Sequence, residues 1–175
     1  LQNKENALPI AKHGSIALFG GGVYGTVKGG TGSGDVNQRD VVNVWDGFKN
    51  AGYHVTSEAW LNEYKTAYDQ ASQNVQGLFG QIEIADQELT QEQLEASKND
   101  TDTAVYIIAR NSGEAADRTA EEGDYYLTET ETKNIKMLAE NFEHCIVVLN
   151  VGGVMDTSFM EEIDGIDALL LMSQA

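Results

Sequence analysis

The stretch Ala104-Val105-Tyr106-Ile107-Ile108-Ala109 is short, continuously apolar and bounded by polar residues, and it decides the fold class. A run of this kind is typical of a strand that is buried on both faces. Similar runs occupy residues 15–19, 145–150 and 168–172. Patterns typical of helices separate the runs, and this alternation predicts a parallel sheet that helices cover on both faces.

Two kinds of local signal place the helices between these strands. An amphipathic repeat predicts the first helix, and its apolar members are Val41, Val44, Trp45 and Phe48. Residues 58–79 lean towards helix, and residues 53–56 form a plausible short strand. The segments 90–93 and 128–131 have the form of a capping box, so each predicts the start of a helix.

Two long segments, residues 20–37 and 110–126, lack apolar periodicity and follow predicted strands. Loops of this length in compact domains are usually functional or disordered. Both leave their strands at the carboxyl edge of the predicted sheet, which is where open α/β sheets bind ligands. The sequence therefore predicts that any site is built from these two loops.

Composition excludes several classes of function. The 175 residues include 28 acidic and 11 basic side chains, and the formal net charge of −17 argues against nucleic acid and anionic membranes as partners. No apolar stretch reaches the 18 residues of a membrane-spanning helix. Cys145 is the single cysteine, and the three histidines are scattered, so we expect no metal site and no cofactor.

The segment Gly20–Gly25 contains three spaced glycines after a strand, as in dinucleotide-binding folds. That motif needs a helix that begins within the turn, with its N-terminus on the pyrophosphate. Here the chain continues through further glycines up to Gly34, a composition that does not favour a helix. Nucleotide binding is therefore a minor alternative. A surface connection, or a loop that approaches a ligand closely, fits this segment equally well.

The second loop contains a carboxyl group among small residues, Glu114, five residues past the buried strand. Glutamate is a common general acid for glycosidic bonds, because a raised pKa lets it protonate a leaving oxygen. Asp117 and Arg118 could pair with neighbouring residues and hold the loop. A solvated charged loop is the alternative interpretation of the same residues.

Several motifs occur in one order and spacing along the chain: Lys28–Val36, Arg110–Glu114, Asp117-Arg118, Gly123–Leu127 and Val148–Gly153. This arrangement resembles the C-terminal α/β sandwich domain of glycoside hydrolase family 3, the β-glucosidase group, over the whole chain. The resemblance implies a three-layer sandwich with a mostly parallel, flavodoxin-like sheet and helices on both faces.

The resemblance also implies a function. Members of the family are retaining exo-β-glycosidases that act on β-linked glucosides or related oligosaccharides. A barrel domain upstream supplies the aspartate nucleophile, and the sandwich domain supplies the acid/base, which is Glu114 here. The cleft edge would include Asp117, Arg118 and the loop residues Gly30, Thr31, Gly32 and Ser33. Asp117 and Glu121 are the carboxylates to consider next. The alternatives are a carbohydrate- or partner-binding module without chemistry of its own and, less favoured, a nucleotide-binding domain.

The two ends of the chain suggest a piece of a longer protein, since it begins without Met and stops directly after a predicted strand. We expect residues 1–175 to be part of one sandwich domain of a multidomain glycosidase. We expect the fragment alone to be inactive. We also expect an exposed apolar patch near Leu169 to Met172, or its burial in a contact between chains, because the last predicted strand lacks a helix to cover it.

Overall fold

A computed structural model describes residues 2–4, 6–29, 41–74, 82, 84–112 and 117–174. They form a six-stranded sheet with the order β1-β6-β5-β4-β2-β3. The strands are β1 (Gln2–Asn3), β2 (Gly14–Phe19), β3 (Tyr53–Val55), β4 (Thr103–Arg110), β5 (His144–Val151) and β6 (Ile166–Leu171).

Five of the strands, β2 to β6, are parallel, as the apolar runs predict. Phe19 of β2 lies opposite Tyr106 of β4, and β4 pairs with β5 over its whole length. The order of these five strands, β3-β2-β4-β5-β6, is that of flavodoxin-like sheets. β1 adds a short antiparallel edge, with Gln2 opposite Leu169 of β6. The prediction of a mostly parallel α/β fold is confirmed.

The helices are α1 (Val44–Asn50), α2 (Glu58–Ser72), α3 (Gln91–Ser97), α4 (Glu129–Asn141) and α5 (Phe159–Glu162), with a 3-10 turn at Gly21–Val23. Both predicted capping boxes are present. Thr90 caps α3 with Gln93, and Thr128 caps α4 with Glu131. In the described part of the chain, no helix has both the length and the apolarity that crossing a membrane requires.

The predicted elements differ from the observed ones in three respects. Helix α1 does not include Val41, which is 61% exposed, because the side chain of Asn43 accepts a hydrogen bond from the Asp46 amide and starts the helix after it. Helix α2 ends at Ser72, and residues 75–79 of the predicted range lie outside the described residues. Strand β1 and helix α5 have no counterpart among the predicted elements.

The core lies between the sheet and its helices. Phe19 of β2 meets Trp60 of α2 edge to face, with ring centroids 5.7 Å apart, and Leu138 of α4 is fully buried. Crossovers between parallel strands are right-handed. The connection from β2 to β3 runs in one direction along the sheet, and the connection from β4 to β5 runs in the other. Their helices, α1 and α4, therefore lie on opposite faces of the sheet. Of the residues near which exposed apolar surface is expected, Leu171 is 58% exposed, and Leu169, Leu170 and Met172 are partly buried.

Candidate functional site

The strand order reverses between β2 and β4, because the chain goes from β2 outward to β3 and then returns to β4 on the other side of β2. In open α/β sheets the crevice at such a switch point, beyond the carboxyl ends of the strands, is the usual ligand site. Both long loops begin there, at Gly20 after β2 and at Asn111 after β4. The fold thus brings the two predicted loops to one crevice.

The predicted site residues divide into two groups. Glu114 and the cleft residues Gly30, Thr31, Gly32 and Ser33 lie outside the described residues. Asp117 and Arg118 are described. Asp117 is exposed, and Arg118 is largely buried, with 17% of its side chain accessible. The structure brings Arg118 into contact with other residues of the same loop and leaves Asp117 at the surface.

Arg118 forms an ion pair with Asp124, at the far end of the same loop. Asp124 also accepts hydrogen bonds from the amide of Thr119 at 2.6 Å and from its hydroxyl at 3.0 Å. Burial opposes ionisation of Asp124, but these hydrogen bonds and the Arg118 charge outweigh it and lower the pKa of the carboxyl. The guanidinium packs on Gly153, where a Cβ would lie 2.9 Å from Nε. The loop is therefore closed on itself and rests on the turn after β5.

Arg110, the last residue of β4, ties this loop to helix α4. Its Nη1 and Nη2 donate to the two carboxylate oxygens of Glu131, at 2.8 and 2.6 Å, and both side chains are buried. Its Nε donates to the carbonyl of Asp124 at 3.2 Å. Since Glu131 also accepts from the Thr128 amide in the capping box, one cation joins the strand, the loop and the start of α4.

Asn150, near the end of β5, holds the first loop and the segment after β6. Its Oδ1 accepts from the Val27 amide at 2.6 Å, and its Nδ2 donates to the Val27 carbonyl at 2.8 Å. Nδ2 also donates to the carbonyl of Ser173 at 2.6 Å. The side chain is fully buried, so these three bonds satisfy an amide that would otherwise be costly to bury.

Gln174 bridges the segment after β6 to the loop after β4. Its Nε2 donates to Oδ1 of Asn111 at 3.1 Å and to the carbonyl of Ser112 at 3.3 Å. Its Oε1 accepts from the Ser112 hydroxyl at 3.4 Å. The amide crosses the end of β5 at Gly152, where a Cβ would lie 2.2 Å from its Cδ. The segments that follow β2, β4 and β6 are thus linked with the end of β5 through two amide side chains, those of Asn150 and Gln174.

Sequence reasoning did not identify either amide as part of the site. Asn150 carries a local signal, since it is a polar residue at the end of a continuously apolar strand that is buried on both faces. Gln174 carries none, because its partners are more than 60 residues away in the sequence.

The glycines at the start of the first loop, Gly20, Gly22 and Gly25, serve packing. Gly20 has a φ of 89°, and a Cβ there would lie 2.4 Å from the carbonyl oxygen of Ile107. Gly22 also packs on Ile107, and Gly25 packs on Tyr68. A single 3-10 turn, not a longer helix, follows β2. These contacts account for the spaced glycines without a nucleotide.

A second polar cluster lies between β4 and the helices. The Tyr106 hydroxyl donates to Asp86, and Asn134 of α4 bonds the carbonyl of Gln87 at 2.9 Å and the amide of Leu89 at 2.8 Å. Burial raises the pKa of Asp86 to about 7. The Tyr106 hydrogen bond counters this rise, and the charge of Glu131 adds to it. The cluster anchors residues 86–89 to the core.

The described ranges contain no set of side chains that could bind a metal ion. Within residues 2–29, 41–74, 84–112 and 117–174, apart from Glu5, which is not described, no three histidine, cysteine, aspartate or glutamate side chains lie close enough to hold an ion. What the crevice offers is the two described stretches of the second loop, residues 111–112 and 117–124, each held by hydrogen bonds and the latter also by an ion pair.

Comparison with known proteins identifies the domain. The whole chain, residues 1–175, matches the model of the glycosyl hydrolase family 3 C-terminal domain. Beta-glucosidase A of Butyrivibrio fibrisolvens is 35% identical over an alignment of 199 residues, which covers 99% of this chain and 23% of that protein. A beta-glucosidase of Ruminococcus albus is 29% identical over 158 residues, covering 89% of this chain and 17% of that protein.

Solved structures agree. A beta-glucosidase from Paenibacillus barengoltzii has a TM-score of 0.86 and 30% identity, over 99% of this chain and 20% of that one. Beta-glucosidase 3B from Thermotoga neapolitana, in complex with glycerol, has a TM-score of 0.83 and 31% identity, over 100% of this chain and 25% of that one. The chain spans less than a quarter of the length of the two curated relatives. This chain therefore belongs to the family of glycosyl hydrolase family 3 C-terminal domains.

Proposed function

We propose that this chain is the domain of a retaining exo-β-glycosidase, of the β-glucosidase type, that supplies the acid/base carboxylate, Glu114. The aspartate nucleophile would lie on a barrel domain of the same polypeptide, which would also bind the terminal sugar. The substrate would be a β-linked glucoside or a related oligosaccharide. The proposal extends to this chain the activity for which its relatives are named.

The observation that carries the proposal is the position of Ser112. It lies at the carboxyl end of β4, at the switch point of the sheet, and Gln174 binds its backbone and its hydroxyl. Glu114 follows two residues later, so covalent geometry keeps its Cα within about 7 Å of the Ser112 Cα. The segment that contains Glu114 therefore starts at the edge of the crevice in which such folds bind ligands, and this supports the proposal.

The proposed reaction has two steps. The barrel aspartate attacks the anomeric carbon, the glycosidic C–O bond breaks, and Glu114 gives its proton to the departing oxygen. Glu114, now a carboxylate, takes a proton from water, and the water oxygen attacks the anomeric carbon and releases the aspartate. The configuration is retained when the two carboxyl groups are about 5–5.5 Å apart. This chain alone has one of the two groups, so we expect it to be inactive.

The test is Glu114→Gln in the intact polypeptide that contains this chain. Methyl β-glucoside, whose leaving oxygen needs protonation, should lose about 10²–10⁴-fold in kcat/KM, the range for general acid catalysis. Dinitrophenyl β-glucoside should lose little in kcat/KM, because its phenolate leaves without a proton. Azide should restore part of the turnover, since it replaces the water that Glu114 would activate.

Two exposed carboxylates of the same loop provide matched controls, Asp117→Asn and Glu121→Gln. Both should keep the wild-type dependence on the leaving group. If Glu114→Gln slows both substrates equally and azide has no effect, Glu114 is not the acid/base. If one control shows the pattern instead, the role belongs to that residue.

A further inference from the structure

We propose that Gln174 is a positioning residue for the acid/base of this domain, which it holds through the backbone at Ser112. The inference rests on the proposed role of Glu114. Gln174 follows the last strand of the sheet, and Ser112 follows β4, two strands away. A side chain that spans two strand ends to bind the start of a particular loop has a use beyond local packing.

The amide of Gln174 uses both of its ends on that loop. Nε2 donates to Oδ1 of Asn111 at 3.1 Å and to the carbonyl of Ser112 at 3.3 Å, and Oε1 accepts from the Ser112 hydroxyl at 3.4 Å. Both donor hydrogens and one lone pair are thereby occupied. The contacts involve the backbone carbonyl as well as the side chain, so they restrain the backbone of Ser112 itself.

The route of the chain to Gln174 is itself held by hydrogen bonds. The Met172 amide makes the last bond to β5, donating to the Leu149 carbonyl at 2.9 Å. Ser173 then has a φ of 60°, in the left-handed region that residues other than glycine seldom adopt. Nδ2 of Asn150 binds the Ser173 carbonyl at 2.6 Å and stabilises this turn. The turn sends the next side chain back across the sheet end towards β4.

Gly152 leaves the space that the amide needs. A Cβ at this position would lie 2.1 Å from the Ser112 Oγ and 2.2 Å from Cδ and Oε1 of Gln174. Any other residue would push the two partners apart. A left-handed turn, a glycine and three hydrogen bonds therefore act together on one amide group.

Protonation of the leaving oxygen by a general acid depends strongly on where the acid is positioned. It must lie within hydrogen-bond reach of the leaving oxygen when the C–O bond breaks. A displacement of about 1 Å can cost 100-fold in rate. The loss should fall on leaving groups that need a proton and spare those that do not. A residue that only supports the fold would instead lower the rate for every substrate alike.

The experiment uses Gln174→Met in the intact polypeptide, which keeps the length of the side chain and removes its hydrogen bonds. We expect kcat/KM for methyl β-glucoside to fall by between about 10-fold and 100-fold, and that for dinitrophenyl β-glucoside to change little. Combined with Glu114→Gln, Gln174→Met should add no further loss. Gln70→Met on the exposed surface of α2 is the matched control and should match the wild type.

Equal losses for the two glucosides, or a full additional loss in the Glu114→Gln background, would overturn the role of Gln174. If Gln174→Met does not fold, Gly152→Ala displaces the same amide by steric contact and should give the same dependence on the leaving group. Glu114→Gln alone separates the two proposals. If it shows the leaving-group pattern and Gln174→Met does not, only the role of Gln174 fails. If it lacks the pattern, both proposals fail.

Discussion

Arg110 and Glu131 form a buried bidentate ion pair, with Nη1–Oε1 and Nη2–Oε2 distances of 2.8 and 2.6 Å. The pair joins the end of β4 to the first turn of α4, so the loop between them is fixed at its base. We expect Arg110→Met to lower the free energy of unfolding by roughly 3–5 kcal/mol, because it leaves a buried carboxylate without a counter-charge.

Urea unfolding measures this change. The double variant Arg110→Met, Glu131→Gln should recover part of the loss, since it removes the unpaired charge and keeps an oxygen for the capping box. The exposed pair of Lys133 and Glu129 on the same helix is the control, and Lys133→Met should change the stability little. A double variant no more stable than Arg110→Met would contradict the electrostatic explanation.

Asp86 should make the stability depend on pH. Its pKa in the folded protein is about 7, above the ordinary value of 3.8, chiefly because it is buried. The folded state therefore holds more protons than the unfolded state between these values. Below about pH 4, Asp86 makes its full contribution to the free energy of unfolding. This contribution is lost as the pH rises to about 7.

Asp86→Asn cannot ionise and should escape this loss. Its stability relative to the wild type should rise as the pH increases from about 4 to about 7 and then level off. Urea unfolding at stepped pH values measures the difference. The exposed Asp164→Asn should follow the wild-type curve. Parallel curves for Asp86→Asn and the wild type would show that Asp86 ionises normally.

Cys145 should report opening of the sheet. Its side chain is fully buried in β5, and burial, with a smaller contribution from the charge of Asp167, raises the pKa of the thiol to about 12. The thiolate is the form that attacks N-ethylmaleimide, so we expect Cys145 to resist this reagent until the chain unfolds. Ala59→Cys introduces a thiol at an exposed position of α2 as the control. Equal labelling rates for the two thiols in the native protein would contradict the prediction.

Gly20 and Gly47 should respond oppositely to alanine. At Gly20 the φ of 89° costs a residue with a Cβ roughly 1–3 kcal/mol. Contact with the Ile107 backbone at 2.4 Å would add to that cost. Gly47 lies within α1 with open space around its Cα, so alanine should stabilise the protein by roughly 0.5–1 kcal/mol. Thermal unfolding measures both. A tolerated alanine at Gly20 would refute the packing explanation of the glycine-rich turn.

The parallel strands and two of the helix starts could be predicted because their signals are local. Continuous apolar runs mark β2, β4, β5 and β6, and the capping boxes at Thr90 and Thr128 mark α3 and α4. Strand β1 has two polar residues and exists through pairing with a strand at the other end of the chain, so nothing local indicates it. The start of α1 was misplaced because the apolar repeat extends beyond the cap at Asn43.

The site was predictable only in outline. Two long loops at the carboxyl edge indicated where the crevice lies, and the role of Glu114 stays a prediction. The pairing of Arg118 with Asp124 involves neighbours in one loop, and sequence reasoning expected such a pair without naming the partner. The bonds of Asn150 to Val27 and of Gln174 to Ser112 join residues 123 and 62 positions apart. Such contacts depend on the strand order, which periodicity does not determine.

The antiparallel pairing of β1 with β6 has a consequence for how the protein is made. Of the six strands of this sheet, β1 is synthesised first, and its partner β6 is synthesised last. At ordinary rates of translation the interval is roughly ten to thirty seconds. During this time Gln2 and Asn3 have no strand with which to pair. Their polar side chains can remain solvated and do not favour pairing with a non-native strand. Closure of this edge, reinforced by the Lys4 amide on the Asp167 carbonyl at 2.7 Å, is then a late event that links the first-made and last-made parts of the sheet.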